Sequence, residues 1–568
     1  VSVTTSPHNS EIHDPCADRI QSEESEWKAE PLKVSQQDGA VLARPALSDV
    51  AGLYAQNRDL LSDCNCEIQG ESLSELRVQT RDELLDLAVA YTSQIRQEPV
   101  TRPDFEGLIC DGHQPLLFHS GVWAKNFVLG GLAKKLKAPP LHLIVDNDAW
   151  SQSGVMVPVN TTTAPTKQQI AYATVNGDQP WEETLVDDLN MFSAFGESVS
   201  DVMAECGVEP LIHECWPLAV DAAKKNWPLS DCLTVARHHM ERRWGLENLE
   251  LPMSRVCDSN SFRKFFCHLV SHMPCFREIY NQVLGEYRKV NGVRSHTHPV
   301  PELKEREGWL ESPFWVWNTN STQRLPLFVK QEGHQILLAS DANQFASLEL
   351  SPELKPERAL EQLQTLFNEG WRIRSRALTT TLFARLYLSD LFIHGIGGAK
   401  YDEMTDRLMS RFYGVDAPGY LTLSGTWHLP LNSAYDLAED RKQSLQQELR
   451  DLKYNPERIL GDSFPEEMQS LCDEKQTLID EQKRVEAGER LGDSQREHHR
   501  RGCERYRRLK AINKNLAQIA GHKQNEFQKE LDQVQSRIDA NQILNSREYS
   551  FVLFPEEKLK TAMTALTD

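Results

Sequence analysis

A chain of 568 residues is longer than one hydrophobic core holds, so roughly two to four structural units are expected. Its hydrophobic share of 40% and charged share of 26% are those of a water-soluble protein. A net charge of −21 argues against a nucleic-acid or anionic-membrane partner as the main surface. No apolar run approaches the ~20 residues that a membrane-crossing helix needs. The first residues, "VSVTTSPHNSEIHDPCADRI", lack the basic and apolar regions of a secretory signal. The expected compartment is the cytoplasm, where the twelve cysteines are expected as free thiols.

In chain order, residues 1–35 are polar and expected to be loose. Apolar residues at helical spacing follow in "ELRVQTRDELLDLAVAYTSQI". A strand is predicted over Phe105–Cys110, then a turn with His113 and His119, then a helix from Ser120 to about Lys137. That helix is apolar nearly all round (Val122, Trp123, Phe127, Val128, Leu129, Leu132), which predicts burial on most sides. Pro139–Pro140 stops it. The strand "LHLIVDND" comes next, apolar without alternation, as in a parallel strand covered on both faces. Strand, helix and strand make a βαβ unit, for which the right-handed crossover is the rule.

Residues 200–290 read as helical, and "SPFWVW" with "RLPLFVK" as a β-hairpin. A second strand, glycine turn and helix appear in "DLFIHGIGGAKYDEMTDRLMSRFYG", closed by Gly414. From about 435 to 545 the chain is charged and sparsely apolar. One helix repeats Leu445, Leu449 and Leu452; a second carries Met468, Leu471, Leu478 and Val485. A third, about 50 residues long, runs from Cys503 through Ile512, Leu516, Phe527 and Leu531 to Ile538 in steps of three and four, the seam of a coiled coil. Its apolar stripe predicts a dimer. The terminal "REYSFVLFPEEKLKTAM" is predicted as a strand and a short helix.

Two candidate sites lie where a strand hands over to a helix, the place where open α/β sheets bind ligands. At the first, Gly112 and Gly121 permit a tight turn or a close ligand approach. Gln114, Ser120 and the helix start offer donors to an anion, and His113 and His119 offer acid–base chemistry. Asp146, Asn147 and Asp148 end the next strand and would hold an amine, a hydroxyl or Mg²⁺. At the second, His394, Gly395, Gly397, Gly398 and Lys400 form an anion cradle, with Arg376 upstream. The set His268, His272 and Cys275 could share one helix face, but it matches no standard metal spacing, and no metal site is expected.

Taken as a series, "GHQPLLFHSGVWAKNFVLGGLAKKL", "LHLIVDNDAW", "RALTTTLFARLYLSDLFIHGIGGAKYDEMTD" and "SREYSFVLFPEEKLK" resemble the cysteine-adding enzymes of bacillithiol biosynthesis over about residues 100–560. The resemblance implies a Rossmann-like parallel-sheet core in two halves (36–200 and 301–435), a helical connector (201–300), an antiparallel coiled coil that dimerises (436–545), and a return to the core (546–568). It implies an ATP-linked ligase, with Mg²⁺, joining cysteine or another amine to a small carboxylated, sugar-malate-like acceptor. In that role His113, His119, Asp146 and Asp148 would be catalytic. The chain departs from the family at His113, where the family has glutamine, and at Asn147, where it has histidine. The later turn differs too, with Lys400 and Asp402. The alternative is a non-catalytic, ligand-binding dimer that recruits a partner through its coiled coil.

Overall fold

The computed structural model describes residues 27, 32–150, 152–174, 179–341, 343–431, 435, 439–460, 466–488, 494–519 and 521–567. Most of the N-terminal segment expected to be loose lies outside them. Trp27 is an exception: its indole donates to Glu403 Oε2 at 2.8 Å and its ring meets Tyr287 edge-on.

The fold is mixed α/β and divides into two compact units. Unit 1 comprises residues 1–159, 167–431 and 547–568; unit 2 comprises 160–166 and 432–546. A six-stranded sheet organises unit 1. Its strands are β1 (Val41–Arg44), β2 (Ile109–His113), β3 (Pro140–Ile144), β4 (Leu249–Pro252), β5 (Leu391–His394) and β6 (Leu421–Gly425), in the spatial order β1-β6-β5-β2-β3-β4. All neighbours are parallel except β1, which runs antiparallel to β6 at the edge.

Alternation along β2 shows why its apolar run carries no polar face. Leu108 and Cys110 enter one core, with Phe262, Phe265 and Phe276, while Ile109 enters the other, with Trp123, Phe127 and Phe551. Both sides of the sheet are therefore covered. The helix α1 (Ser120–Leu136) follows β2. Its N-cap is His119, whose Nδ1 accepts from the Gly121 N–H at 3.1 Å. Lys134 and Lys135 occupy its last turn, where cations favour the helix dipole. Burial of Trp123, Phe127, Leu129 and Gly130 on different sides matches the all-round apolar pattern.

Several expectations are corrected. The strand predicted at 105–110 begins only at Ile109 and ends at His113, because that is where β5 and β3 pair with it. The 200–290 stretch is not wholly helical: β4 lies within it and pairs with β3. Residues 305–375 do not extend the parallel sheet. They form a separate antiparallel sheet, ordered Asn343–Glu349, Gln335–Ser340, Ser321–Glu332, Trp309–Asn318, Trp371–Ser375, with Glu305–Arg306 beside Trp309–Asn318. Phe314 and Val316 of that sheet face the first core.

At the C-terminal side, Phe551–Leu553 is a 3₁₀ turn where a strand was predicted. The run Phe551–Phe554 has no polar alternation, and all four side chains are buried against α1 and its surroundings. Cys275 is disulfide-bonded, against the expectation of free thiols throughout, so it offers no thiolate to His268 and His272. Those two rings pack at 4.7 Å, and His272 sits at the break between helices Asn260–Ser271 and Met273–Val290.

Within unit 1 a helix α2 (Ile396–Leu408) follows β5. Unit 2 contains α3 (Glu439–Tyr454), α4 (Glu466–Glu486), α5 (Gln495–Ile519) and α6 (Gly521–Leu544). Met468 packs with Ile512 and Leu516, while Glu474 pairs with Arg508 at 2.5 Å. Advancing along α4 therefore means retreating along α5, and the two run antiparallel. The same holds for α3 and α6, where Tyr435 meets Asn541 and Arg441 meets Glu530. The turn expected between α4 and α5 lies outside the described residues. So does Ala520, and the third predicted helix is accordingly seen as α5 and α6. A last helix, α7 (Glu556–Thr564), returns to unit 1 and buries Leu559 and Met563.

Candidate functional site

Because β5, β2 and β3 are adjacent and parallel, their carboxyl ends share one edge of the sheet. His394 ends β5, His113 ends β2, and Asp146–Asp148 follow β3. A cavity of about 480 Å³ opens at this edge. Gly112, His113, Gln114, His119, Gly121, Asn147, Asp148, Arg376, His394, Gly395, Gly397 and Gly398, all candidates from the sequence, line it together.

Three candidates stand apart from the lining. Asp146 spends both carboxylate oxygens on Ser254, accepting from its N–H at 2.8 Å and its hydroxyl at 2.5 Å. Burial, reinforced by Glu182, pushes its pKa up to about 8. It closes the start of the short helix Met253–Asp258. Ser120 is buried in the first turn of α1. Lys400 is exposed and does not reach the lining.

The glycines of the first turn serve packing. A Cβ on Gly121 would stand 2.2 Å from the Gly425 carbonyl oxygen, and one on Gly112 would stand 3.1 Å from that of Leu143. Close approach of backbone to backbone requires a glycine at 121, and at 112 it leaves a side chain little room. Gly395 and Gly397 differ: a Cβ on either meets nothing within 4 Å. Gly395 caps α2, and Gly397 lies in its first turn. Gly395, as N-cap, offers no side-chain acceptor to the N–H groups of this helix start, and Gly395–Gly398 line the cavity, an arrangement that suits a phosphate or carboxylate.

Sequence reading missed four residues. Lys125, on α1, is buried; its ammonium donates to the Gly112 carbonyl at 2.8 Å and lies 3.8 Å from Asp111. Burial lowers its pKa, and the Asp111 carboxylate partly restores it. A lone lysine in an apolar helix reads as a solvated one, so nothing local marked it. Trp315 and Arg324 come from the antiparallel sheet, and Arg547 from beyond unit 2 in sequence; each is remote from both turns along the chain. Trp315 follows from strand alternation, since Phe314 and Val316 face the core.

The guanidinium groups of Arg376 and Arg324 lie 4.2 and 5.0 Å from the Trp315 ring centroid. Arg376 approaches Glu311 at 2.9 Å, and its Nε has no partner. Arg324 donates to the Asn147 carbonyl at 3.2 Å and to Asp148 at 3.0 Å. Asp148 also accepts from Gln114 at 3.4 Å. Asn147 donates its amide to the Ser375 carbonyl at 3.0 Å, leaving its buried Oδ1 unpartnered.

The cavity thus presents a helix start and four cationic side chains, Lys125, Arg324, Arg376 and Arg547, each with a carboxylate neighbour: Asp111, Asp148, Glu311 and Glu548 in turn. An anionic ligand fits it. For a nucleotide, the Gly395–Gly398 helix start is the part of the lining suited to phosphates; among the described lining residues no Mg²⁺ site is built, since Asp148, the one carboxylate there, is engaged by Arg324. Among the described residues one cluster has metal-ligand spacing, His238, Glu241 and Glu250. Arg237 already sits among its carboxylates, donating to Glu241 at 2.9 Å and to Glu250 at 2.7 and 3.0 Å. A guanidinium fills the cationic place there, and the group is a buried ion network. No protein-family model matches this chain, and no curated protein matches it.

Proposed function

We propose that the protein is an ATP-linked carbon–nitrogen ligase. Cysteine or another small amine would be joined to a small carboxylated acceptor, as the resemblance to the bacillithiol cysteine-adding enzymes implies. On this reading the parallel sheet is a Rossmann-like core, and unit 2 is a coiled coil through which the protein dimerises. The observation that carries it is the meeting of both strand-to-helix turns in one cavity rich in cations and helix N–H groups.

An amide bond needs an electrophilic carboxyl carbon and an uncharged amine held beside it. ATP, when bound, supplies the leaving group that makes the carboxyl electrophilic. The protein's own groups bind and orient. The α2 start receives phosphate, and the guanidinium groups on Trp315 receive the acceptor's carboxylates, the geometry to which a planar fork is suited.

The test is to incubate the full chain with ATP, cysteine and glucosaminyl-malate and to follow both nucleotide cleavage and the mass of the acceptor. A mass gain matching one condensed cysteine is expected. Nucleotide and acceptor that bind without any condensation would instead favour the ligand-binding alternative.

A further inference from the structure

Three imidazoles line the cavity, and their hydrogen bonds give them different chemistry. His119 accepts from the Gly121 N–H through Nδ1, so its neutral ring carries the proton on Nε2, 3.7 Å from Glu548. Its lone pair is spent on capping α1. His113 faces the Gln114 carbonyl through Nδ1 at 3.2 Å; a carbonyl only accepts, so Nδ1 donates and Nε2 is bare. Burial and the Lys125 ammonium hold its pKa down to about 3, which makes it a weak proton acceptor.

His394 is different. Its Nε2 lies 2.8 Å from Asp402 Oδ2, and both side chains are buried. Burial alone would raise the Asp402 carboxyl, but the Arg385 guanidinium at 2.5 Å, with His394 and Thr381, together more than offset it and hold it well below the usual carboxylate range. An ionised carboxylate only accepts, so the His394 proton sits on Nε2 and the Nδ1 lone pair is free. Nδ1 has no partner among the described residues. It faces Gly398, whose missing Cβ would stand 2.9 Å away. The bare nitrogen is thus beside the glycine turn, at the cavity edge, with a carboxylate behind the ring.

We propose that His394 is the general base of the ligation, with Asp402 as its positioning residue. This rests on the ligase reading given above. The amine nitrogen forms its bond to the activated carboxyl carbon, the leaving group departs with the carbon–oxygen electron pair, and the proton released by the amine passes to His394 Nδ1. As the ring becomes cationic, the adjacent Asp402 stabilises it.

Two measurements on the full chain test the proposal, one of them independent of turnover. Long-range proton–nitrogen NMR of protein labelled with ¹⁵N-histidine, assigned with His394→Gln, should show the Nε2-protonated tautomer at alkaline pH. Asp402→Asn should weaken that preference. A ring protonated on Nδ1 would overturn the dyad whatever the reaction. In the ligation assay, His394→Gln should lower kcat about 10²–10⁴-fold with KM and melting temperature little changed. Added imidazole should partly restore His394→Ala, an effect a purely structural histidine would not give. Active wild type with an unimpaired His394→Gln would overturn the base and leave the ligase intact. A wild type that binds ATP and acceptor without condensing them would overturn the ligase reading and the proton transfer together, even with the tautomer as stated.

Discussion

His113 packs edge-on against Phe118, and its depressed pKa makes its charge state a matter of stability. The folded value of about 3 lies below the ordinary 6.5, so the fold favours the neutral ring. The stability this represents is complete above the unfolded value and is lost as pH falls through the folded one. His113→Gln should therefore flatten the acid side of the melting-temperature profile while changing little at neutral pH. An unchanged acid slope would mean that the ring is solvated. The glycines give a paired expectation. Gly121→Ala should cost about 1–3 kcal/mol, because its Cβ would overlap a backbone oxygen that cannot yield easily. Gly397→Ala should raise stability by about 0.5–1 kcal/mol, since it fills open space in a helix. If the turn holds phosphate, the same change should weaken nucleotide binding; calorimetry with ATP compares the two effects directly.

At the scale of elements, α1 is held from outside by residues far along the chain. The Phe551 ring lies 4.3 Å from Trp123 and 5.9 Å from Phe118, and Ser550 bridges to His119. Phe551→Ala should cost about 3–5 kcal/mol in chemical denaturation and weaken ligand binding as well, because the His119 cap and the cavity wall lose their backing. Loss of stability without any effect on binding would separate α1 packing from the site. How far such elements could be read from sequence depended on how local their signals are. α1 and β5 were legible, since apolar runs ended by glycine, histidine or proline carry their own boundaries; β2 was seen as a strand but placed at 105–110, because pairing with β5 and β3, not the apolar run, sets its bounds at Ile109–His113. The β4 strand was not: four residues among helices have no period to detect. The antiparallel sheet was half legible, because its hairpin was visible but its partners were not. In the site, residues on the two turns were readable from their position at strand ends. Lys125, Trp315, Arg324 and Arg547 were not, since their role comes from distant pairing. Asp146 had the right position and the wrong direction; only its bonds to Ser254 reveal that it turns to a neighbouring helix.

For the whole molecule, the helices of unit 2 leave the chief question of assembly open to one measurement. Ile512 and Leu516 are buried, yet Phe527, Leu531, Val534 and Ile538 are only half-covered, and Tyr506 is 68% exposed. A dimer that covers this stripe should sediment at twice the chain mass at micromolar concentration, and Leu531→Glu should yield monomer without loss of the unit 1 melting transition. A wild type sedimenting as monomer would reject the dimer. The division of unit 1 in sequence has a different consequence, in the order of events during synthesis. Phe551, Leu553, Leu559 and Met563 fill a core whose other walls, α1 and β2, are made more than 400 residues earlier. Until those late residues emerge from the ribosome, Trp123 and Phe127 lack their cover, whereas α3 to α6 already have one another. The helices of unit 2 are made before the returning segment 547–568, and the apolar surface of the earlier part of unit 1 waits, exposed to chaperones, for the chain to come back to it.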